Sequence, residues 1–140
     1  MTRSILAMVL CAVLLSGCGT ATSTAQDVSA SDQVFADAYT NQQSDVQVTG
    51  AGTVIRILAD DNDGGRHQRF IVELASGQTL LIAHNIDLAP RLTPLQRGDS
   101  VAFNGVYEWN AKGGLVHWTH RDPSGQHRAG WLRLHGETFQ

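Results

Sequence analysis

The sequence predicts an all-β fold, a small Greek-key barrel of five to six strands preceded by a short helix. Three observations lead there. From Val46 onward, apolar residues recur with period two in short runs. The runs are separated by turns rich in Gly, Asn and Asp. No long helical stripe interrupts them, which argues against a layered α/β arrangement. A length of 140 residues allows one domain.

The chain begins with Arg3, an apolar run from Ile5 to Leu15, and then Ser16-Gly17-Cys18. A charged start, a short apolar core and small residues before the cut form the layout of a secretory signal. The apolar run is shorter than the roughly 20 residues a membrane-spanning helix needs. Leu15-Ser16-Gly17-Cys18 resembles the bacterial lipobox, in which the cysteine becomes the lipid-modified first residue of the mature protein. Residues 1–17 are therefore expected to be a lipoprotein signal peptide, with Cys18 the membrane anchor. Gly19 follows the cysteine instead of a retention-type aspartate, so the expected location is the outer membrane, facing the periplasm.

Loss of residues 1–17 removes Arg3 and no acid, which takes the net charge from −3 to −4. That balance disfavours nucleic acid, whose non-specific binding rests on Lys and Arg. Cys11 would leave with the signal and Cys18 would carry the lipid, so the folded domain is expected to lack both disulfide and thiolate ligand.

Residues 18–30 are small and polar and read as a flexible tether. Residues 31–140 are expected to form one domain. Ser31 can cap a helix in which Val34, Phe35, Ala38 and Tyr39 share a stripe. Val46 to Leu58 reads as a strand bent at Gly50 and Gly52. Asp60-Asp61-Asn62-Asp63-Gly64-Gly65 is a loop. Gln68 to Leu74 is a strand with Phe70, Val72 and Leu74 on one face, and Ser76-Gly77-Gln78 turns it back. Thr79 to Asn85 is apolar on both faces and is expected to be central. An irregular segment leads through Gly98-Asp99 to a strand from Ser100 to Trp109, with Val101, Phe103, Tyr107 and Trp109 on one face. Leu115 to Thr119 and Gly130 to His135 are the last strands. A glycine-bent first strand and a long third-to-fourth connection make the barrel OB-like.

Chemistry concentrates in His117-Trp118-Thr119-His120-Arg121-Asp122-Pro123, with His127 beyond the turn. In a regular strand His117 and His120 would face apart; they converge only if the strand ends near Thr119. His117, His120, Asp122 and His127 are then candidate ligands of a divalent metal such as zinc. Asp60 and Asp61 are further metal candidates. Their loop resembles the start of an EF-hand but lacks its distal Glu and flanking helices, so a solvated turn is the favoured reading and a contribution of Asp60 or Asp61 to the histidine site the lesser one. His67, His84, Asn85, Asp87, Tyr107, Trp109 and Trp118 are candidate ligand-binding residues. Each also has a structural reading as a turn former, a satisfied core group or a packing aromatic.

These motifs, from Asp60-Asp61-Asn62-Asp63-Gly64 and His67-Gln68-Arg69-Phe70-Ile71 through His84 to Arg91, Tyr107-Glu108-Trp109-Asn110 and His117-Trp118-Thr119-His120, resemble an uncharacterised bacterial family, domain of unknown function 3465, from about residue 50 to the end. That resemblance implies no activity. Asn85-Ile86-Asp87-Leu88-Ala89-Pro90, with the acidic loop and the glycine-flanked first strand, is similar to the barrel half of staphylococcal-nuclease-type OB domains. That likeness implies the fold. The phosphate-holding arginine expected just before this segment is missing from Leu80 to His84, Leu88 is an insertion, and Arg91 stands where an acid would be.

The expected function is a lipid-anchored binding module, membrane-attached through Cys18, with a histidine-rich polar cleft for a small-molecule or envelope ligand. The alternative is a metal-dependent hydrolase or phosphodiesterase, with histidine-bound metal and Asp60, Asp61 or Glu108 as base.

Overall fold

The computed structural model describes residues 23–140, with side chains from residue 30 onward. The signal peptide and Cys18 lie outside the described residues. Helix α1 (Ser23–Thr40) is followed by β1 (Val46–Ile57), β2 (His67–Glu73), β3 (Thr79–Asn85), β4 (Ser100–Glu108), β5 (Leu115–His117), β6 (Trp131–Leu134) and β7 (Glu137–Phe139). The helix begins eight residues before Ser31, so Ser31 is an interior position and not its N-cap, and residues 23–30 are helical.

The helix buries Asp32, Phe35 and Ala38, spaced by three, while Val34 and Tyr39 stay exposed. It ends in a Schellman-type turn. Gln42 takes a positive φ of 51°, Gln43 N–H donates to Ala38 O at 2.9 Å, and Gln42 N–H donates to Tyr39 O at 3.2 Å.

The strands form one sheet in the order β1-β2-β3-β5-β4-β6-β7, and an additional β1–β4 pairing closes the first five into a barrel. All pairings are antiparallel except β3–β5, where Leu81 and Ile82 lie beside Leu115 and Val116 in parallel. This is the OB-like barrel expected, with a β6–β7 hairpin added; β7 was not foreseen. The hairpin turns at His135 and Gly136, both at positive φ (50° and 83°), as a two-residue type I′ turn requires.

β1 is long enough to serve two neighbours. Val46 to Thr53 pairs with β4 and Thr53 to Ile57 with β2. The irregularity expected at Gly50 and Gly52 falls instead between Val54 and Arg56, and register with β4 is continuous through both glycines. The glycines serve close approach. A Cβ on Gly50 would lie 2.7 Å from the Phe35 ring, which is how the helix docks on the barrel.

β4 is likewise shared. One edge pairs with β1; the other takes β6 along Val101–Asn104 and β5 along Val106–Glu108. Gly105 is the divide, and a Cβ there would collide with the His117 carbonyl oxygen. Phe70, Val72, Leu80, Ile82, Val101, Phe103, Tyr107, Val116 and Leu132 fill the interior, each fully buried. Each large apolar side chain among them contributes about 2 kcal/mol of transfer free energy.

Candidate histidine cleft

β5 stops at His117 because Trp118 adopts a positive φ of 52°. The returning chain is pressed against this kink. Gly130 N–H donates to His120 O at 2.9 Å, and any side chain at Gly130 would strike the Trp118 carbonyl. The early end of the strand meets the condition under which His117 and His120 come to one side. Both line a cleft of about 230 Å³.

The rest of that cleft comes from the outward-facing positions of neighbouring strands. β2 alternates so that Gln68, Phe70 and Val72 point into the barrel and His67 points out. β3 buries Leu80, Ile82 and His84 and turns Ala83 and Asn85 outward, with Asn85 opposite His67. His67, Ala83, Asn85 and Leu88 line the cleft together with His117, Trp118 and His120.

The imidazoles are held individually. His67 Nδ1 is 3.1 Å from Gly65 O. His120 Nδ1 is 2.7 Å from Arg121 O. His117 Nε2 is 3.4 Å from Glu108 Oε1. Burial pushes the His117 pKa below its ordinary value, opposed by the Glu108 carboxylate. The indole of Trp118 stacks on His127, with ring centres 3.8 Å apart and planes inclined by 19°. It also lies 5.4 Å from the His120 ring.

His84 lies beneath this surface and is fully buried. Its Nε2 faces Pro90 O at 3.1 Å and its Nδ1 faces Thr119 Oγ1 at 2.9 Å. A carbonyl only accepts, so Nε2 carries the proton and Nδ1 accepts from the threonine hydroxyl. Burial lowers its pKa from 6.5 to about 4, so the ring is neutral. With both nitrogens committed, His84 supports the cleft from behind and has nothing left to offer a ligand.

The other candidates have structural employment. Asp122 organises its own turn: its carboxylate accepts from Ser124 N–H and Oγ and from the N–H groups of Gln126 and His127. Those donors hold its pKa far below the usual carboxylate range. Asp87 accepts from Arg66 N–H at 2.8 Å and Nε at 2.7 Å, which lowers its pKa as well. Asp60 is paired with Arg91, and Asp61 accepts from Asp63 N–H at 3.1 Å and lies 3.7 Å from Arg69. Tyr107 is a core residue donating to Gly113 O, and Trp109 donates through Nε1 to Tyr39 O at 3.1 Å. Neither aromatic lines the cleft. Among the described residues, no three His, Cys, Asp or Glu side chains are grouped to hold a metal ion.

Of the sequence candidates, His67, Asn85, His117, Trp118 and His120 therefore share one cleft. Ala83, Leu88 and Thr119 were missed. The alternation of β3 is enough to place Ala83 beside Asn85. Nothing local marks Thr119 as the partner of His84, 35 residues away.

No curated protein matches this chain. A model described as a protein of unknown function, DUF3465, matches residues 18–140, and the chain belongs to that family.

Proposed function

We propose that this chain is a lipid-anchored envelope protein whose barrel is a binding module, taking a ligand of about one ring in the histidine cleft. One observation carries the binding reading. Residues from β2, β3, β5 and the segment after β5 converge on a single concavity at the outer barrel surface. OB barrels present their binding sites on the face around strands 2 and 3. The volume of about 230 Å³ suits one ring and not a polymer segment. Among the described residues no Lys or Arg lines it, which agrees with a chain of net charge −3 in disfavouring a polyanion.

The anchoring reading rests on Leu15-Ser16-Gly17-Cys18, and the family match starts at Cys18. Mass spectrometry of membrane-extracted protein is expected to find an acylated N-terminal cysteine, and Cys18→Ala to release the chain from the membrane fraction.

A plug tests the cleft. Single-ring fragments (pyranoses, phenols, pyridine carboxylates) are screened by ligand-observed NMR against the wild type and Ala83→Trp, whose indole fills the cleft from an outward β3 position. Hits should vanish in the variant while its thermal midpoint stays close to wild type. Hits that survive the plug would overturn the assignment.

A second reading, the metal-dependent hydrolase, draws on the His117–Glu108 pair, an imidazole oriented by a carboxylate at the cleft wall. One zinc per chain in protein purified without a histidine tag, lost together with a phosphodiesterase activity in His117→Ala, would move the assignment to it.

A further inference from the structure

Three of the cleft histidines share a pattern. Each has one ring nitrogen against an oxygen that can only accept: Gly65 O for His67, Arg121 O for His120 and the Glu108 carboxylate for His117. In a neutral imidazole the nitrogen facing such an oxygen carries the proton and the other presents a lone pair. His67 Nε2, His120 Nε2 and His117 Nδ1 are the lone-pair nitrogens. No described residue is seen to bond them, and among the described residues the only sealed side-chain N or O atom without a partner is Asp32 Oδ1. These three nitrogens are therefore reachable.

Resting on the binding reading above, we infer that the cleft recognises a hydrogen-bond donor: a small ring bearing a primary ammonium, of the amino-sugar class. The three histidines that line the cleft each keep one acceptor nitrogen, and a primary ammonium is the common group that brings donors and no acceptor. The surroundings have the matching sign. Among the described residues no Lys or Arg lines the cleft, and the Glu108 carboxylate backs His117. Ala83, Leu88 and the Trp118 indole supply apolar surface for the ring body. Asn85 is fixed by accepting from Asp87 N–H through Oδ1 at 2.9 Å, which leaves its amide N–H groups for a ligand hydroxyl. An acceptor-rich acid meets three lone pairs instead, and is rejected.

Two measurements test this. Long-range 1H–15N NMR reads the tautomers directly: Nδ1–H is expected at His67 and His120, and Nε2–H at His117. Calorimetric titration at pH 7.5 uses glucosamine, glucose and glucuronate, which share a pyranose ring and differ in donors, acceptors and charge. Glucosamine should bind most tightly, glucose more weakly and glucuronate not at all. His67→Phe, at a half-buried strand position, should weaken glucosamine by about tenfold, the order of one charge-assisted hydrogen bond. An Nε2–H tautomer at His67 or His120 overturns the inference, as does glucuronate binding as tightly as glucosamine. If either occurs while other single-ring fragments still bind and are excluded by Ala83→Trp, the binding module stands and only its ligand class is wrong. If no fragment binds at all, both are wrong.

Discussion

His84 carries the clearest pH dependence in the molecule. Its folded pKa of about 4 lies below the ordinary 6.5, so the unfolded chain takes up the proton first as pH falls. The stabilisation from keeping this ring neutral is complete above pH 6.5 and is lost progressively down to about 4, amounting to about 3 kcal/mol. His117 is shifted in the same direction and adds to the decline. Asp87 and Asp122 have lowered pKa values, so their contributions are present above the ordinary value of 3.8 and are lost as pH falls from there through their lower folded values. Urea midpoints between pH 7 and pH 4.5 should therefore fall for the wild type, and less steeply in His84→Gln; parallel slopes would contradict this assignment. Steric limits are as local. Gly105→Ala should cost about 3 kcal/mol, because its Cβ meets backbone, whereas Gly77→Ala, with open space around a φ of 86°, should cost only about 1 kcal/mol. Thermal denaturation of the two variants gives the comparison. Residue types with unusual demands were visible in the sequence. What they touch was not: His84 could be flagged as unusual at the end of an apolar strand, but its pairing with Thr119 depends on the parallel contact of β3 with β5.

At the scale of elements, side-chain clamps hold the connections that the site depends on. Gln68 is buried on β2 and acts as a surrogate backbone. Its Nε2 donates to Leu92 O at 3.0 Å and its Oε1 accepts from Leu92 N–H at 2.9 Å, pinning the irregular segment between β3 and β4. Gln68→Ala leaves both Leu92 groups unpaired in the interior and should cost about 3 kcal/mol by urea denaturation; a loss below 1 kcal/mol would show that the segment is held elsewhere. Asp122 does the same for the turn after β5. Asp122→Ala should release His127 from the Trp118 indole and leave the barrel folded, read as loss of upfield ring-current shifts on His127 with little change in far-UV circular dichroism. Strands with period two were legible in order, and β3 was bounded correctly at Thr79 and Asn85. The helix start was misread because small polar residues have a weak apolar stripe. β7 was missed because three residues, Glu137 to Phe139, carry too little periodicity to register.

For the whole molecule, barrel closure gathers the site. β1 and β4 meet along eight residue pairs, and β3 and β5 lie in parallel across the gap this leaves. That pairing brings His117 and His120 beside Ala83 and Asn85, more than 30 residues earlier in the chain. Glycine turns and alternating strands predicted a barrel, and the density of histidines after Leu115 indicated where to look. The candidate metal ligands were chosen on their spacing in the sequence. Folding divides those groups among separate tasks, with Asp122 in its turn, His127 on Trp118 and the Asp60–Arg91 pair spanning two loops. What remains is a cleft lined by polar and apolar side chains together, on a barrel whose family match begins at the cysteine proposed to hold it to a membrane. The most direct test is a 1H–15N correlation spectrum of the protein titrated with single-ring fragments. Saturable shifts should map to Asn85, His117, Trp118 and His120, leaving Tyr107 and Trp109 unmoved. Shifts centred on Tyr107 and Trp109, or no saturable shift from any fragment, would contradict the assignment of the cleft as the binding site.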